Sequence, residues 1–254
     1  MNLQHYLEFA TSLAYHAGKI TLRYFNTGVK PDRKANNDPV TIADREAEAY
    51  VRAEVEKHFP GHAIVGEEYG ENAEQHPFRW IVDPIDGTIS FVQGVPLYGV
   101  LIALEVEGVV KAGAAYFPPL DEMLTAADGL GCWWNGRRAR VSSVEKLSRA
   151  CVVSSDFQHL EARQPGIVNR FEKEGALLRT WGDAYGYLLV ATGRAEVALD
   201  PRMDVYDCGP YPVIMQEAGG FFGAWDGSDG HTHGEGLACN AALKPDVMKL
   251  IRGT

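Results

Sequence analysis

Two aspartates three residues apart, Asp83 and Asp86, stand in the segment Trp80-Ile81-Val82-Asp83-Pro84-Ile85-Asp86-Gly87-Thr88. An apolar run precedes them and a proline fixes the backbone between them. The reading is a short strand, Trp80 to Val82, followed by a turn that aims both carboxylates at one point beyond the strand end. Asp-Pro and Asp-Gly are also ordinary turn dipeptides, so the segment alone leaves two meanings open. Other acidic motifs decide between them. Gly66-Glu67-Glu68 follows a second short strand, Ile64-Val65, and Asp204-Val205-Tyr206-Asp207 precedes an apolar helical run ending at Glu217-Ala218-Gly219-Gly220. Oxygen donors without histidine or cysteine select a hard cation. Magnesium in particular is held by a few carboxylates, with water and substrate phosphate completing the octahedron. Gly87 and Thr88 add backbone N–H groups and a hydroxyl, and N–H groups at a turn or helix start bind phosphate oxygens. Metal and phosphate are expected to meet here.

The elements that must position these groups follow from periodicity. Leu3, Leu7, Ala10, Ala14, Ala17 and Leu22 recur at helical spacing and predict an amphipathic helix to about Phe25. After a turn-rich passage, Lys30 to Pro39, Thr41 and Asp44 form a capping box for a helix running to His58, which Pro60-Gly61 ends. Tyr98 to Val106 and Val109 to Phe117, joined by Glu107-Gly108, read as an antiparallel hairpin. Trp133-Trp134-Asn135-Gly136 marks a further turn between strands. From Cys151 the rhythm becomes alternating: a strand at Cys151-Val152-Val153, a polar helix from His159 to Glu174, then Gly182 to Thr192, then Val197-Ala198-Leu199. This divides the chain near Ser148 into an N-terminal α+β part with an antiparallel sheet, residues 1–148, and a C-terminal α/β part, residues 149–254.

Composition sets the setting. At 254 residues with 46% hydrophobic side chains, the chain can bury a substantial core unaided. Its four cysteines lie far apart without zinc-like spacing, which predicts a reduced, cytoplasmic protein. A net charge of −10 argues against a nucleic-acid partner, whose phosphates want a basic face. The N-terminus carries no basic and apolar leader, and no run approaches a membrane span, so neither export nor a membrane is expected.

Taken together and in order, Gly66-Glu67-Glu68, Asp83-Pro84-Ile85-Asp86-Gly87-Thr88, Asp207 and Glu217-Ala218-Gly219-Gly220 resemble the inositol monophosphatase family of metal-dependent phosphatases. Gly87 to Phe91, Gly99 to Leu104, Trp181 to Tyr187 and Asp200 to Asp207 are similar to its histidinol-phosphate phosphatase branch, and Ser90, where many members have asparagine, points the same way. The resemblance implies a layered αβαβα fold and a homodimer inhibited by lithium. It implies that Glu67, Asp83 and the Ile85 carbonyl bind a first magnesium, that Asp83, Asp86 and Asp207 bind a second, and that a third, weaker ion belongs beside Glu67. Glu67 and Thr88 would orient and deprotonate the attacking water, with Asp86, Gly87 and Thr88 at the phosphate. Asp200 matches a hydroxyl-binding position, and Arg179 a position near the substrate or subunit boundary. The implied activity is hydrolysis of a small phosphorylated metabolite, foremost histidinol phosphate in histidine biosynthesis. Inositol phosphate or a broader set of sugar and nucleotide phosphates is the alternative, and a scaffold or transcription-associated binding protein the non-enzymatic one.

Several side chains keep two readings. Asp183 suits a substrate ammonium by a charge-assisted hydrogen bond, or caps the helix after Gly182. Arg179 is otherwise an ordinary solvated arginine. Asp204 reads as a helix cap, Asp44 matches an acidic position near the site in the family it resembles but is explained locally by its capping box, and Glu68 stands between metal support and an exposed loop. His231 and His233 read as a solvated loop, and Trp133-Trp134 as edge packing. Pro212, deep in the run after Asp207, conflicts with one unbroken helix there.

Overall fold

The computed structural model describes residues 1–34, 39–72 and 76–253. α1 (Leu3–Leu22) ends where predicted to within a turn, and the passage after it holds a two-strand ribbon, β1 (Asp32–Arg33) with β2 (Pro39–Val40). Positions 35–38 of that passage lie outside the described residues. α2 (Ile42–His58) starts on the Thr41–Asp44 capping box. Next come β3 (Ala63–Gly66), β4 (Gly70–Glu71), β5 (Phe78–Asp86), α3 (Thr88–Val92), β6 (Gly99–Val106), β7 (Val109–Phe117), β8 (Glu122–Ala127), β9 (Gly131–Trp134) and β10 (Arg137–Arg138). They build an eight-stranded sheet in the order β10-β9-β8-β7-β6-β5-β3-β4, antiparallel except where β3 runs parallel to β5. The hairpin β6–β7 turns on Glu107 and Gly108, both at positive φ, as a tight two-residue turn requires.

The second sheet is smaller. β11 (Cys151–Val153), α4 (Phe157–Arg163), α5 (Ile167–Lys173), β12 (Leu177–Arg179), α6 (Ala184–Ala191) and β13 (Val197–Asp200) lead to α7 (Val205–Cys208), α8 (Tyr211–Ala218), β14 (Gly220–Gly223), β15 (Gly236–Asn240) and α9 (Lys244–Arg252). The strand order is β12-β11-β13-β15-β14, with β11 parallel to both neighbours and β15 antiparallel. The single helix expected from His159 to Glu174 is two, α4 and α5, because Pro165 and the left-handed Gly166 interrupt it. β12, only three residues long, is too short to show a period and escaped the sequence reading.

Strict alternation explains the layers. Along β5 and β6, Trp80, Val82, Val100, Ile102 and Leu104 face α1 and α2, burying Leu13, Ala14, Val51 and Val55. Ile81, Leu101 and Ala103 face the other way, into a core shared with α6, α8 and one face of the five-stranded sheet through Tyr187, Tyr211, Ile214 and Ala198. That sheet's far face packs Val152, Val197 and Leu199 on α4, α5 and α9. Helix, sheet, helix, sheet and helix thus alternate, the αβαβα sandwich expected. Among the described residues, no helix is long and apolar enough to cross a membrane.

Candidate active site

β5 does not stop at Val82. It continues to Asp86, opposite Gly99 of β6, with a bulge after Asp83: three steps on β5 match two on β6. Pro84 sits at this irregularity, where it needs no ladder N–H donor. The expected turn is therefore a bulge, which Asp83 itself braces by accepting the Ile85 N–H at 3.0 Å. The next residue, Gly87, holds φ at 84°, a left-handed conformation natural to glycine, and starts α3 with Thr88. Asp86 reaches across the inter-sheet core and accepts the Ala184 N–H at 2.8 Å, anchoring the start of α6.

Asp207 arrives from the second half of the chain. α7 is a single turn in which Asp207 accepts the Asp204 N–H at 2.7 Å, so Asp204 occupies the cap position as expected. The run to Glu217 is two helices, because the chain breaks at Gly209-Pro210 and α8 restarts with Pro212 in its first turn, where no intrahelical acceptor waits. That resolves the proline conflict. Glu217 lies away from the cluster and accepts the N–H groups of Gly129 and Gly131 at 2.8 and 2.7 Å.

Carboxylate oxygens of Asp83, Asp86 and Asp207 lie within 4.8 Å of one another, and all three side chains are buried or nearly so. Burial first, and the neighbouring carboxylates second, push Asp83 and Asp86 well above the usual carboxylate range. Burial and the Glu67 charge carry Asp207 up to about 7 against the backbone hydrogen bond that opposes them. An oxygen-only cluster whose members destabilise one another's charge is the donor set of a hard divalent cation.

These residues line a cavity of about 150 Å³ together with Glu67, Ile85, Gly87, Thr88, Asp183 and Asp200. It opens into a wider vestibule of about 300 Å³ that adds Ile89, Asp156, His159, Asp204 and Tyr206. A larger hollow, about 1030 Å³, lies elsewhere between α1 and β8–β9, and its Asp121 is already held by the Tyr116 hydroxyl at 2.7 Å. It gathers no carboxylate cluster, so size does not locate the chemistry.

Glu67 shares the cavity but not the three-carboxylate cluster: Lys34 pairs with it at 2.7 Å and with Glu68 at 2.6 Å. Burial raises Glu68 to about 7 despite that lysine, so it is no exposed loop carboxylate. Of three supports, two do not show in the sequence and the third is explained there by its local capping role. Lys34 is one. Glu48, fully buried on α2, is the second, accepting the N–H groups of Glu68 and Tyr69 at 2.7 and 3.2 Å. The third is the reach of Asp44: one oxygen serves the capping box and the other stands 3.5 Å from Thr88 Oγ1, which also lies 3.0 Å from the Ile85 carbonyl. Burial pushes Asp44 up to about 6.

Asp183 occupies the cap position of α6 yet does not cap it, since Asp86 takes the Ala184 N–H. Its carboxylate accepts from Ser90 Oγ at 3.2 Å. Asp200 is buried and accepts from Ser154, Ser155 and the Tyr187 hydroxyl. Arg179 is not brought to the cavity; its guanidinium donates to the Leu178 carbonyl at 2.7 Å and lies 5.9 Å from the Trp181 ring centre. His231 departs from the expected solvated loop: it is buried, with Nε2 2.8 Å from Glu105 Oε2, while His233 stays exposed. Trp133 and Trp134 lie on β9 near the sheet edge, under Arg138 and Arg194.

Residues 2–253 match the inositol monophosphatase family. The chain belongs to that family. With its cluster of buried acids, it is a metal-dependent phosphomonoesterase acting on a small phosphorylated molecule. It is 43% identical over 248 residues to the histidinol-phosphatase of Chlorobaculum parvum, with 96% of each chain covered. To the histidinol-phosphatase of Mycobacterium tuberculosis it is 34% identical over 249 residues, covering 95% of this chain and 96% of the other. The solved IMPase of Thermotoga maritima is similar in fold, with a TM-score of 0.90 at 28% identity over 98% of this chain and 97% of that one.

Proposed function

We propose that this family member is a magnesium-dependent histidinol-phosphate phosphatase, releasing L-histidinol and phosphate in histidine biosynthesis. One observation carries the reading: the cavity that holds the acidic cluster also exposes a second carboxylate pair, Asp183 and Asp200, beyond Gly87. An ammonium group next to a phosphate ester gains a charge-assisted hydrogen bond from such a carboxylate, which a neutral polyol lacks. The two relatives named histidinol-phosphatases support the same substrate. Asp200 also suits a sugar hydroxyl, which is what favours inositol phosphate or a broader set of phosphates as the second reading. A pure scaffold has no physical need for clustered buried carboxylates.

Glu67, Asp83, the Ile85 carbonyl, Asp86 and Asp207 are the groups that would hold two magnesium ions, with a third beside Glu67. Such ions supply positive charge that acidifies water and steadies the departing alcohol oxygen. The protein's own part is positional. Thr88, backed by Asp44, and Glu67 orient the attacking water and take its proton. The N–H groups of Gly87 and Thr88, free of intrahelical acceptors at the start of α3, hold phosphoryl oxygens in line for displacement. The new bond joins water oxygen to phosphorus, the ester P–O bond breaks, and the alcohol oxygen leaves with a proton. Asp183 and Asp200 hold the organic remainder. We read the enzyme as a cytoplasmic, lithium-sensitive homodimer, which light scattering and a lithium titration check.

The deciding assay is phosphate release with magnesium from histidinol phosphate, inositol 1-phosphate, fructose 1,6-bisphosphate and phosphoadenosine phosphate side by side. The highest kcat/KM is expected for histidinol phosphate. A lead for inositol 1-phosphate would transfer the assignment to the second reading, and silence with all four would end the phosphatase proposal.

A further inference from the structure

Asp183 sits at φ 51° and ψ −158°, a backbone region that residues with a Cβ seldom occupy. A helix cap does not need that conformation, and the capping acceptor here is Asp86. Its surroundings hold it there. The Asp183 N–H donates to Ser155 Oγ at 3.0 Å, and Ser90 Oγ donates to Asp183 Oδ2 at 3.2 Å. Ser155 Oγ in turn donates to Asp200 Oδ1 at 2.8 Å, so one hydroxyl ties the Asp183 backbone to the Asp200 carboxylate.

Two glycines let the groups approach this closely. A Cβ on Gly182 would lie 2.2 Å from both the N and Cα of Ser155, so only a glycine lets this turn lie against the end of β11. A Cβ on Gly87 would come within 3.0 Å of Asp183 Oδ2. The Asp183 carboxylate is thereby placed directly over the residue that opens the phosphate-binding turn. Ser90 rides on α3, one turn beyond Gly87, whereas Ser155 follows β11. The clamp therefore spans both halves of the chain.

We propose that Ser90 and Ser155 are positioning residues that fix Asp183 as the discriminator for phosphate esters bearing a cationic amine. The inference rests on the histidinol-phosphate reading above and names the side chains that give that site its selectivity. Without Ser90 the Asp183 carboxylate loses its tether, and without Ser155 the backbone beneath it does; either way the carboxylate can swing from the ammonium, and the charge-assisted hydrogen bond that separates an amine ester from a neutral one weakens. The neutral parts of the ester feel no such loss.

The test compares kcat/KM for L-histidinol phosphate with that for its deamino analogue, an imidazolyl-propyl phosphate, in the full-length enzyme with magnesium. The wild type is expected to prefer the amine ester, and Asp183→Asn to lose that preference. Ser90→Ala and Ser155→Ala should each cut the amine-to-deamino ratio about tenfold, mainly through KM for the amine ester, as expected for losing a hydrogen bond to a charged group. Ser90→Thr, which keeps the hydroxyl, should restore the ratio. A merely structural role would depress both esters alike and leave the ratio in place, which would overturn the inference. If Asp183→Asn abolishes the preference while both serine variants keep it, the inference fails and the substrate assignment stands. A wild type without preference for the amine defeats both.

Discussion

Burial first, and then crowding by neighbouring carboxylates, raises the pKa of Asp83, Asp86 and Asp207, and a folded protein that buries such a set gives up stability to keep it. Replacing Asp207 by asparagine keeps an oxygen to accept the Asp204 N–H while removing one charge. Asp207→Asn is therefore expected to melt higher than wild type in chelator and to lose about 10²- to 10³-fold in turnover. Calorimetry and phosphate release, read on the same preparation, check the pair; a variant that keeps turnover would contradict the assignment. The pH dependence has a definite sign. With Asp207 carried from 3.8 to about 7, the folded state binds more protons than the unfolded chain between those values. Its contribution to the chelated protein's stability thus falls as pH rises through that window. Magnesium needs the ionised cluster, so the rise in melting temperature on adding magnesium should be larger above about pH 7 than near about pH 5. Equal shifts at both would show that these acids do not bind the ion.

α2 is the element on which the site leans, and the sequence shows half of its role. The Thr41–Asp44 capping box was legible because its spacing is local. Asp44, Ala47, Glu48, Val51 and Val55 share one buried face of the helix, so two carboxylates lie where only apolar residues are expected. That misplaced charge was the readable signal. Its purpose was not, since the partners come from elsewhere: Thr88 in α3 and the loop after β3. Lys34 pairs with Glu67 across 33 residues, a contact no periodicity foretells. Glu48 is also bound by Arg52 at 2.8 Å, which reaches on to the Gly70 carbonyl. A Cβ on Gly66 would meet Glu48 Oε1 at 2.2 Å, so this glycine is what lets the Glu67 loop close on α2. Glu48→Ala takes the acceptor from two part-buried hydrogen bonds and from Arg52 and should cost about 2 kcal/mol, with a weaker magnesium response as Glu67 loosens. Glu48→Gln, retaining one acceptor oxygen, should cost less. Denaturant titration ranks the two, and an alanine variant as stable as wild type would refute the support.

At the scale of the molecule, the alternating strands and the helix periods announced the layers, but the crossing contacts between sheets are invisible in sequence. Glu105 is the clearest case. It lies on β6 of the larger sheet, where Arg79 of β5 grips it through Nε and Nη2 at 3.0 and 2.8 Å. His231, from the segment between β14 and β15 of the smaller sheet, meets it at 2.8 Å. Asp-Gly-His-Thr-His looks like solvated loop because nothing within it discloses a carboxylate 126 residues away. Burial raises the Glu105 pKa, yet the hydrogen bonds from His231 and Arg79 outweigh it and hold the acid down to about 2, against 4.5 ordinarily. A depressed acid gives stability that is fully present above its unfolded value and lost as pH falls through the folded one. Wild type should therefore shed about 3 kcal/mol between pH 4.5 and about 2 on account of this group. Glu105→Gln lacks that ionisation, so it should be less stable than wild type at neutral pH, and the difference should close as the pH approaches about 2. Urea unfolding of both proteins across the acid range measures the gap directly. A gap that stays constant with pH would mean that the glutamate contributes shape and packing there, not charge.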